Sequence, residues 1–253
     1  MRDGYLATID QACFAGTLDD AAGAVLDRVA DGEGGYACLC NVHVLVSACR
    51  HDKLARALHD SWTAFPDGAP VAWLQRRSGD AGAARIAGAD LMERVLDTGR
   101  PDGLSHFLFG STPAVLDGLV ARFSKTFPGA RIAGVHSPPF GSVESLGTKD
   151  VLDRIRDAKP SIVWCGLGAP KQELWMRRHS EDLAPSVLIG VGAAFDFLSG
   201  TKERAPEWMR QAGLEWLHRL GSEPRRLAGR YVVTNTEFAI RTAFELSARR
   251  SGS

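Results

Sequence analysis

The feature that most constrains the fold is a regular alternation of short apolar runs with segments of helical periodicity. The apolar runs have the length of buried strands, and the segments between them repeat apolar residues every three to four positions. The predicted strands are residues 36–40, 105–109, 132–135, 162–165 and 187–191. The predicted helices are residues 18–30, 42–60 (one or two helices), 89–98, 113–126, 149–158 and 172–180. Such strand-helix-strand units, about 25–30 residues long, predict an α/β fold with a doubly wound, mainly parallel sheet.

The C-terminal part of the chain has a different pattern and a different charge. Strand signals stop after residue 205, and residues 206–220 and 224–248 have helical patterns. Residues 1–200 carry 20 Lys and Arg against 24 Asp and Glu, whereas residues 201–253 carry 10 against 6. We therefore expect a domain over residues 1–200 and a basic helical appendage over residues 201–253. Its excess of four positive charges predicts a local anionic partner, and the neutral whole chain gives no indication of nucleic acid binding.

Composition argues against several classes of protein. The first ten residues lack the apolar run of a signal peptide, and no stretch has the ~20 apolar residues that span a bilayer. The five cysteines are an odd number in mainly apolar contexts, which is typical of reduced thiols in a cytoplasmic protein. Cys38 and Cys40 lack the spacing of zinc ligands, so no metal site is expected.

A strand, a glycine-containing turn and a helix start follow one another over residues 161–173. The turn contains Gly166 and Gly168, and the helix begins with Lys171, Gln172 and Glu173. Unpaired backbone N–H groups and the positive end of a helix dipole would meet there at the sheet edge. The segment therefore predicts a site for a phosphate or a nucleotide-linked group, although an ordinary strand-to-helix turn has the same pattern.

Two further polar residues follow apolar runs. Asn41 comes directly after the strand 36–40, and Asp67 follows residues 62–66 and precedes Gly68. Both can point into a cleft at the sheet edge. The alternatives are a helix N-cap for Asn41 and a plain Asp-Gly turn for Asp67.

Two other signals are weaker. Residues 190–200 contain Gly190 and Gly192 but have Phe195 where a G-x-G-x-x-G fingerprint has its third glycine. Asp196, between two aromatic residues, is typical of a structural cap. The appendage alternates arginines with Trp208, Trp216 and Tyr231, which fits a solvated helical face, a phosphate contact or a helix on anionic lipid.

Taken together, several of these segments resemble the WecG/TagA/CpsF glycosyltransferases (glycosyltransferase family 26), from about residue 5 to about residue 245. The matching pieces are Asn41, residues 67–70, residues 85–91, Phe109 and Gly110, residues 166–173, residues 190–200, residues 204–206, residues 213–217, Arg219, residues 223–224, Arg226, and residues 230–231. The resemblance implies a Rossmann-like catalytic domain with a C-terminal helical appendage. One departure is Leu39, where many members have a threonine.

The resemblance also implies an activity. A sugar would pass from a UDP-sugar to a polyprenyl-diphosphate-linked saccharide at the cytoplasmic face of the cell membrane, with inversion, no cofactor and no structural metal. No D-x-D triplet occurs in the chain, which agrees with metal-independent transfer. The protein would be a peripheral membrane enzyme of cell-surface polysaccharide synthesis. The sequence does not identify the sugar that is transferred or the acceptor saccharide. It also leaves the oligomeric state open, and a homo-oligomer is one of the alternatives.

The resemblance assigns roles to individual positions. Asp67 would be the general base, with Asn41 and Arg85 in the same catalytic pocket. The expected substrate-binding residues are Gly110, Gly168, Lys171, Gln172, Glu173 and Gly192. The expected contacts to the acceptor diphosphate or the membrane are Arg219, Arg226 and Arg230.

Two other functions remain as alternatives at this stage. An NAD-dependent nucleotide-sugar oxidoreductase or epimerase could use a similar sheet, but the broken glycine fingerprint disfavours it. A Tyr-x-x-x-Lys pair is also absent, because Tyr5, Tyr36 and Tyr231 have no lysine four residues on. A non-catalytic nucleotide-binding module is the third hypothesis, and it predicts that Asp67→Asn leaves every activity unchanged.

Overall fold

The computed structural model describes Tyr5 and residues 12–251, without the side chains of residues 226, 230 and 249–251. The described residues contain one all-parallel sheet with strand order β2-β1-β6-β5-β3-β4. Its strands are β1 (Gly35–Cys40), β2 (Thr63–Pro66), β3 (Ser105–Gly110), β4 (Arg131–His136), β5 (Ile162–Gly166) and β6 (Val187–Gly190). The predicted doubly wound α/β fold is confirmed, and β2 corresponds to the apolar run before Asp67.

Helices connect the strands and continue beyond the sheet. Those within the sheet region are α1 (Leu18–Ala30), α2 (Val42–Arg50), α3 (Asp52–His59), α4 (Ala69–Ser78), α5 (Gly88–Thr98), α6 (Pro113–Thr126), α7 (Lys149–Ala158) and α8 (Lys171–His179). After β6 come α9 (Ala194–Leu198), α10 (Glu207–Gln211), α11 (Glu215–Ser222) and α12 (Pro224–Ser251). The sequence did not predict α4. The helical pattern predicted over residues 206–220 is present as two helices, α10 and α11, separated at Gly213, which has a φ of +73°.

Strand side chains alternate between two apolar layers, as the period of two in a strand requires. On β1, Tyr36 and Cys38 face a layer that includes residues of α2, α3, α7 and α8. Ala37 and Leu39 face the opposite layer, which includes residues of α1, α5, α6 and α9. Helices therefore cover both faces of the sheet, and every strand except the edge strand β4, which is partly exposed, is almost entirely buried.

This packing creates a crevice between two neighbouring strands. After β1 the chain enters α2 on one face, whereas after β6 it enters α9 on the other. Because β1 and β6 are adjacent, their connections diverge at the carboxyl ends. Ligands bind at such switch points in open α/β sheets.

The C-terminal helices close one side of this crevice. Leu227 and Phe238 of α12 are buried, and Phe238 stacks on Tyr5 with ring centroids 5.7 Å apart. Glu237 of α12 forms an ion pair with Arg50 of α2. Among the described residues, no helix combines the length and apolar content that crossing a bilayer requires.

Candidate active site

A cavity of about 760 Å³ lies at the carboxyl ends of the strands. Its walls come from the residues that follow β1, β2, β5 and β6, and from α11 and α12 of the C-terminal part. Of the predicted site residues, the cavity is lined by Asn41, Asp67, Arg85, Gly168, Gln172, Gly192 and Arg219. The volume falls in the range of small-molecule sites.

Asn41 and Asp67 are joined directly. Asn41 caps α2, because its Oδ1 accepts a hydrogen bond from the Val44 backbone N–H at 3.1 Å. Its Nδ2 donates to Asp67 Oδ2 at 3.2 Å. The cap commits the amide oxygen, so the NH2 group must face the carboxylate. Asn41 is therefore both the N-cap of α2 and the hydrogen-bond partner of Asp67, and its catalytic role stays a prediction.

The surroundings of Asp67 make its carboxylate more basic than usual. Burial raises the pKa of Asp67 above its ordinary value, and the hydrogen bond from Asn41 opposes that rise. The charge of Glu215 raises this pKa further, whereas the charges of Arg85 and Arg219 lower it. A half-buried carboxylate of raised pKa that lines a cavity is suited to accept a proton.

Most cationic side chains of the cavity already have carboxylate partners. Arg85 donates to Glu215 at 2.7 Å and lies 3.4 Å from Asp90. Arg204 binds Asp90 in a bidentate pair at 2.6 and 2.8 Å. The Lys202 ammonium lies between two carboxylates, 2.8 Å from that of Asp196 and 3.1 Å from that of Glu223.

Arg219 differs from these three cations. Its guanidinium lies 5.6 Å from the centroid of the Phe197 ring, and it forms no ion pair with any carboxylate in the described part of the chain. An arginine that has no carboxylate partner is available to an incoming diphosphate.

The turn between β5 and α8 is held by Gln172. Gly168 has a φ of +78°, and its backbone N–H donates to Gln172 Oε1 at 3.1 Å. The Nε2 of Gln172 donates to Glu173 Oε1 at 2.8 Å. Gly192 lies on the other side of Gln172, where a Cβ would come 3.4 Å from Oε1. These contacts fix the amide of Gln172 in the wall of the cavity.

Three predicted substrate-binding residues lie outside the cavity lining. Lys171 Nζ donates to the Gly141 carbonyl at 2.8 Å. Glu173 is fully buried, its Oε2 has no hydrogen-bond partner among the described residues, and burial raises its pKa to about 7. Gly110, at a φ of +113°, passes so close to Gly166 that a Cβ would lie 2.7 Å from its carbonyl carbon. Their roles in substrate binding stay predictions.

Other positions complete the account of the predicted site. The side chains of Arg226 and Arg230 lie outside the described part of the structure. Leu39 lines the cavity and packs on Gly88, where a Cβ would come 2.5 Å from the leucine Cδ1. Within the described residues, no three His, Cys, Asp or Glu side chains are grouped to hold a metal ion.

Sequence reasoning missed Glu215 and Lys202 as cavity residues. Glu215 meets Arg85 across 130 positions of chain, and no local spacing indicates such a contact. The usable signals were the density of charged residues near the start of the appendage and, for Glu215, its place in the matching piece 213–217.

The fold and the cavity define an α/β protein with a polar ligand site at the switch point of a parallel sheet. Residues 8–252 match the model of the glycosyl transferase WecG/TagA/CpsF family. The chain therefore belongs to this family of glycosyl transferases, and the resemblance noted from its motifs is confirmed.

Two relatives illustrate the similarity. A Bacillus subtilis (strain 168) protein is 30% identical over 209 residues, which are 83% of this chain and 75% of the relative. A Staphylococcus aureus (strain MW2) protein is 27% identical over 187 residues, which are 74% of this chain and 72% of the relative. Both are named N-acetylglucosaminyldiphosphoundecaprenol N-acetyl-beta-D-mannosaminyltransferase.

Proposed function

We propose that this protein is an inverting glycosyltransferase that moves a sugar from a UDP-sugar to a polyprenyl-diphosphate-linked saccharide. The observation that carries the proposal is the Asn41–Asp67 pair in one cavity with Arg85 and Arg219. The names of the relatives suggest N-acetylmannosamine as the sugar and N-acetylglucosaminyl-diphosphoundecaprenol as the acceptor.

Asp67 acts as the base of the transfer. Its carboxylate takes the proton of the acceptor hydroxyl while that oxygen attacks the anomeric carbon of the donor. The bond from the anomeric carbon to UDP breaks on the opposite side, so the configuration inverts and UDP leaves. A positioned base contributes about 10²–10⁴-fold in rate. Asn41 keeps the carboxylate in place through the bond from its Nδ2.

Cationic groups stabilise the departing UDP diphosphate without a divalent cation. Arg219 is the first of them, because its guanidinium has no described carboxylate partner. Arg85 lies in the same cavity. Gly168 and Gly192 let the backbone approach the donor, and Gln172 offers its amide. Charge stabilisation by fixed donors is worth ~10²–10³-fold per group.

Three further residues support this site without lining the cavity. Glu173 holds Gln172, Lys171 ties the start of α8 to the Gly141 carbonyl, and Gly110 allows β3 to approach β5 closely. In this role they shape the donor site without touching the donor.

Residues 201–253 form the acceptor-facing appendage and rest on the inner leaflet of the cell membrane. Several apolar side chains of α12 are largely exposed, among them Val232, Ile240 and Phe244 at 67%, 65% and 74%. They occur on a helix that also carries arginines, a combination suited to an anionic lipid surface.

The membrane contact has a direct test. The full chain should sediment with anionic vesicles, less so at high salt, and Phe244→Glu should weaken this several-fold because it places a charge in the apolar contact. Phe140→Glu, which changes an even more exposed side chain in the loop after β4, is the control. Equal sedimentation of both variants would exclude α12 as the contact.

A panel of UDP-sugars tests the function itself. Each donor is incubated with a short-chain polyprenyl-diphosphate N-acetylglucosamine in the presence of EDTA, and products are identified by mass spectrometry. UDP-N-acetylmannosamine should give a product heavier by one N-acetylhexosamine, with inverted configuration by NMR. Absence of transfer from every donor would contradict the function, and recovery only on addition of magnesium would contradict the metal-independent mechanism.

A further inference from the structure

A second carboxylate shares the cavity with Asp67. Glu215 is the first residue of α11, and its side chain is 17% exposed. Its Oε2 accepts a hydrogen bond from Arg85 Nη1 at 2.7 Å, and its Oε1 lies 3.5 Å from Arg204 Nε. Glu215 lines the same cavity as Asp67, Arg85 and Arg219. A carboxylate in a site for a diphosphate needs an explanation, because it repels the ligand.

The contacts of Arg85 give that explanation. Its two terminal nitrogens bind two carboxylates from different parts of the chain, Asp90 in α5 and Glu215 in α11. When both terminal nitrogens of a guanidinium are hydrogen-bonded, the side chain keeps one orientation. Without these bonds, the side chain would sample several rotamers. Because Arg204 pairs with the same two carboxylates, the start of α11 is fixed to the body at this point.

We propose that Glu215 is a positioning residue for the transfer: from the C-terminal helices it orients Arg85 and sets the charge around the Asp67 carboxylate. This inference rests on the proposed function. It assigns to the C-terminal helices a negative group that completes the catalytic pocket, in addition to their arginines.

Burial and several neighbouring groups together set the proton affinity of Asp67. The charged ones are Arg85 before α5 and Glu215 and Arg219 on α11, and the neutral ones are Asn41 and the Cys40 thiol at the end of β1. Of the three charges, the negative one of Glu215 raises the pKa of Asp67 and the two arginines lower it. Without Glu215, Asp67 would be the weaker base.

This arrangement predicts a distinctive result for Glu215→Gln. The acid limb of the kcat/KM profile against pH should move to lower pH, since Asp67 then loses its proton more readily. On the plateau, kcat should fall by a few-fold because a weaker base transfers the proton less effectively. The KM for the donor should stay within about twofold, since Arg85 keeps its charge.

Two controls separate this role from a structural one. Glu215→Asp keeps the charge and should keep the position of the acid limb. Glu207→Gln makes the same change on α10, where the Glu207 carboxylate accepts a hydrogen bond from Gln211, and should leave the profile unchanged. Both variants and Glu215→Gln are compared by thermal unfolding.

The experiments distinguish a failure of the role proposed for Glu215 from a failure of the proposed transferase function. If the unmodified protein transfers sugar and Asp67→Asn does not, but Glu215→Gln leaves the acid limb unmoved, the role of Glu215 is refuted and the function stands. A uniform loss of rate at every pH would also refute it, since that is the result of a loosened helix. If the unmodified protein transfers no sugar, the function fails, and this inference fails with it.

Discussion

Asp67→Asn is expected to lower kcat at least ~100-fold, with the donor KM largely retained. The amide fills the same volume as the carboxylate but cannot take the proton of the acceptor hydroxyl. Asn41 can still donate to the new side-chain oxygen, so the geometry of the pocket should be kept. The measurement is radiolabelled transfer under saturating substrates, and transfer at the normal rate would exclude Asp67 as the base.

The same substitution should not destabilise the protein at neutral pH. The pKa of Asp67 is raised in the folded state, so the fold favours the protonated form. Stability from this group is complete below the pKa of the unfolded chain and is lost as pH rises through the folded pKa. Asp67→Asn should therefore unfold at an equal or higher temperature than the unmodified protein at pH 7, and the gain should vanish in acid. Asp117→Asn, on the exposed side of α6, should change neither rate nor stability.

Arg219→Ala is expected to lower kcat/KM by roughly 100-fold, the magnitude typical of losing one charged contact to a developing anion. Removal of the guanidinium also removes its contact with Phe197, which costs about 0.5–1 kcal/mol of stability. The acid limb of the pH profile should move to higher pH, because Arg219 lowers the pKa of Asp67. Steady-state kinetics over a pH series measure both effects.

Two variants sharpen this result. Arg219→Lys keeps the positive charge but lacks the planar set of N–H donors of a guanidinium. Its kcat/KM should therefore lie between those of Arg219→Ala and the unmodified protein. Arg122→Ala removes an arginine of α6 that forms an exposed ion pair with Glu93 of α5, and the kcat/KM of this variant should stay within about twofold. A rate for Arg219→Ala equal to that for Arg122→Ala would remove Arg219 from the site.

The fold was largely predictable because the strands other than the edge strand β4 are short, mostly apolar runs, as burial on both faces of a parallel sheet requires. The predictions for β3, β4 and β5 end within one residue of the observed strands. The helix α4 was missed because its start, Gly68-Ala69-Pro70, has the composition of a turn, and its Val71 and Leu74 form too short an apolar pattern. The helical conformation of this segment therefore depends on its tertiary packing, which buries Val71 and Leu74.

The sequence indicated part of the site through the rule that residues after parallel strands gather at one edge. Asn41, Asp67 and Gln172 all follow strands by a few residues, and all three line the cavity. Glu215 and Lys202 could not be found this way, because they come from a helix and a loop that follow the last strand of the sheet. Phe195, where a dinucleotide fingerprint has glycine, is fully buried against Gly166, so this segment provides no room for a pyrophosphate at that position.

Single-turnover transfer gives the most direct test of proton removal by Asp67, since it isolates the chemical step from binding and product release. The unmodified protein and Asp67→Asn are each mixed in excess over donor with saturating acceptor, and the donor dissociation constant is measured separately. We expect the chemical step of the variant to be at least ~100-fold slower with a dissociation constant within about twofold. Equal single-turnover rates would contradict the mechanism.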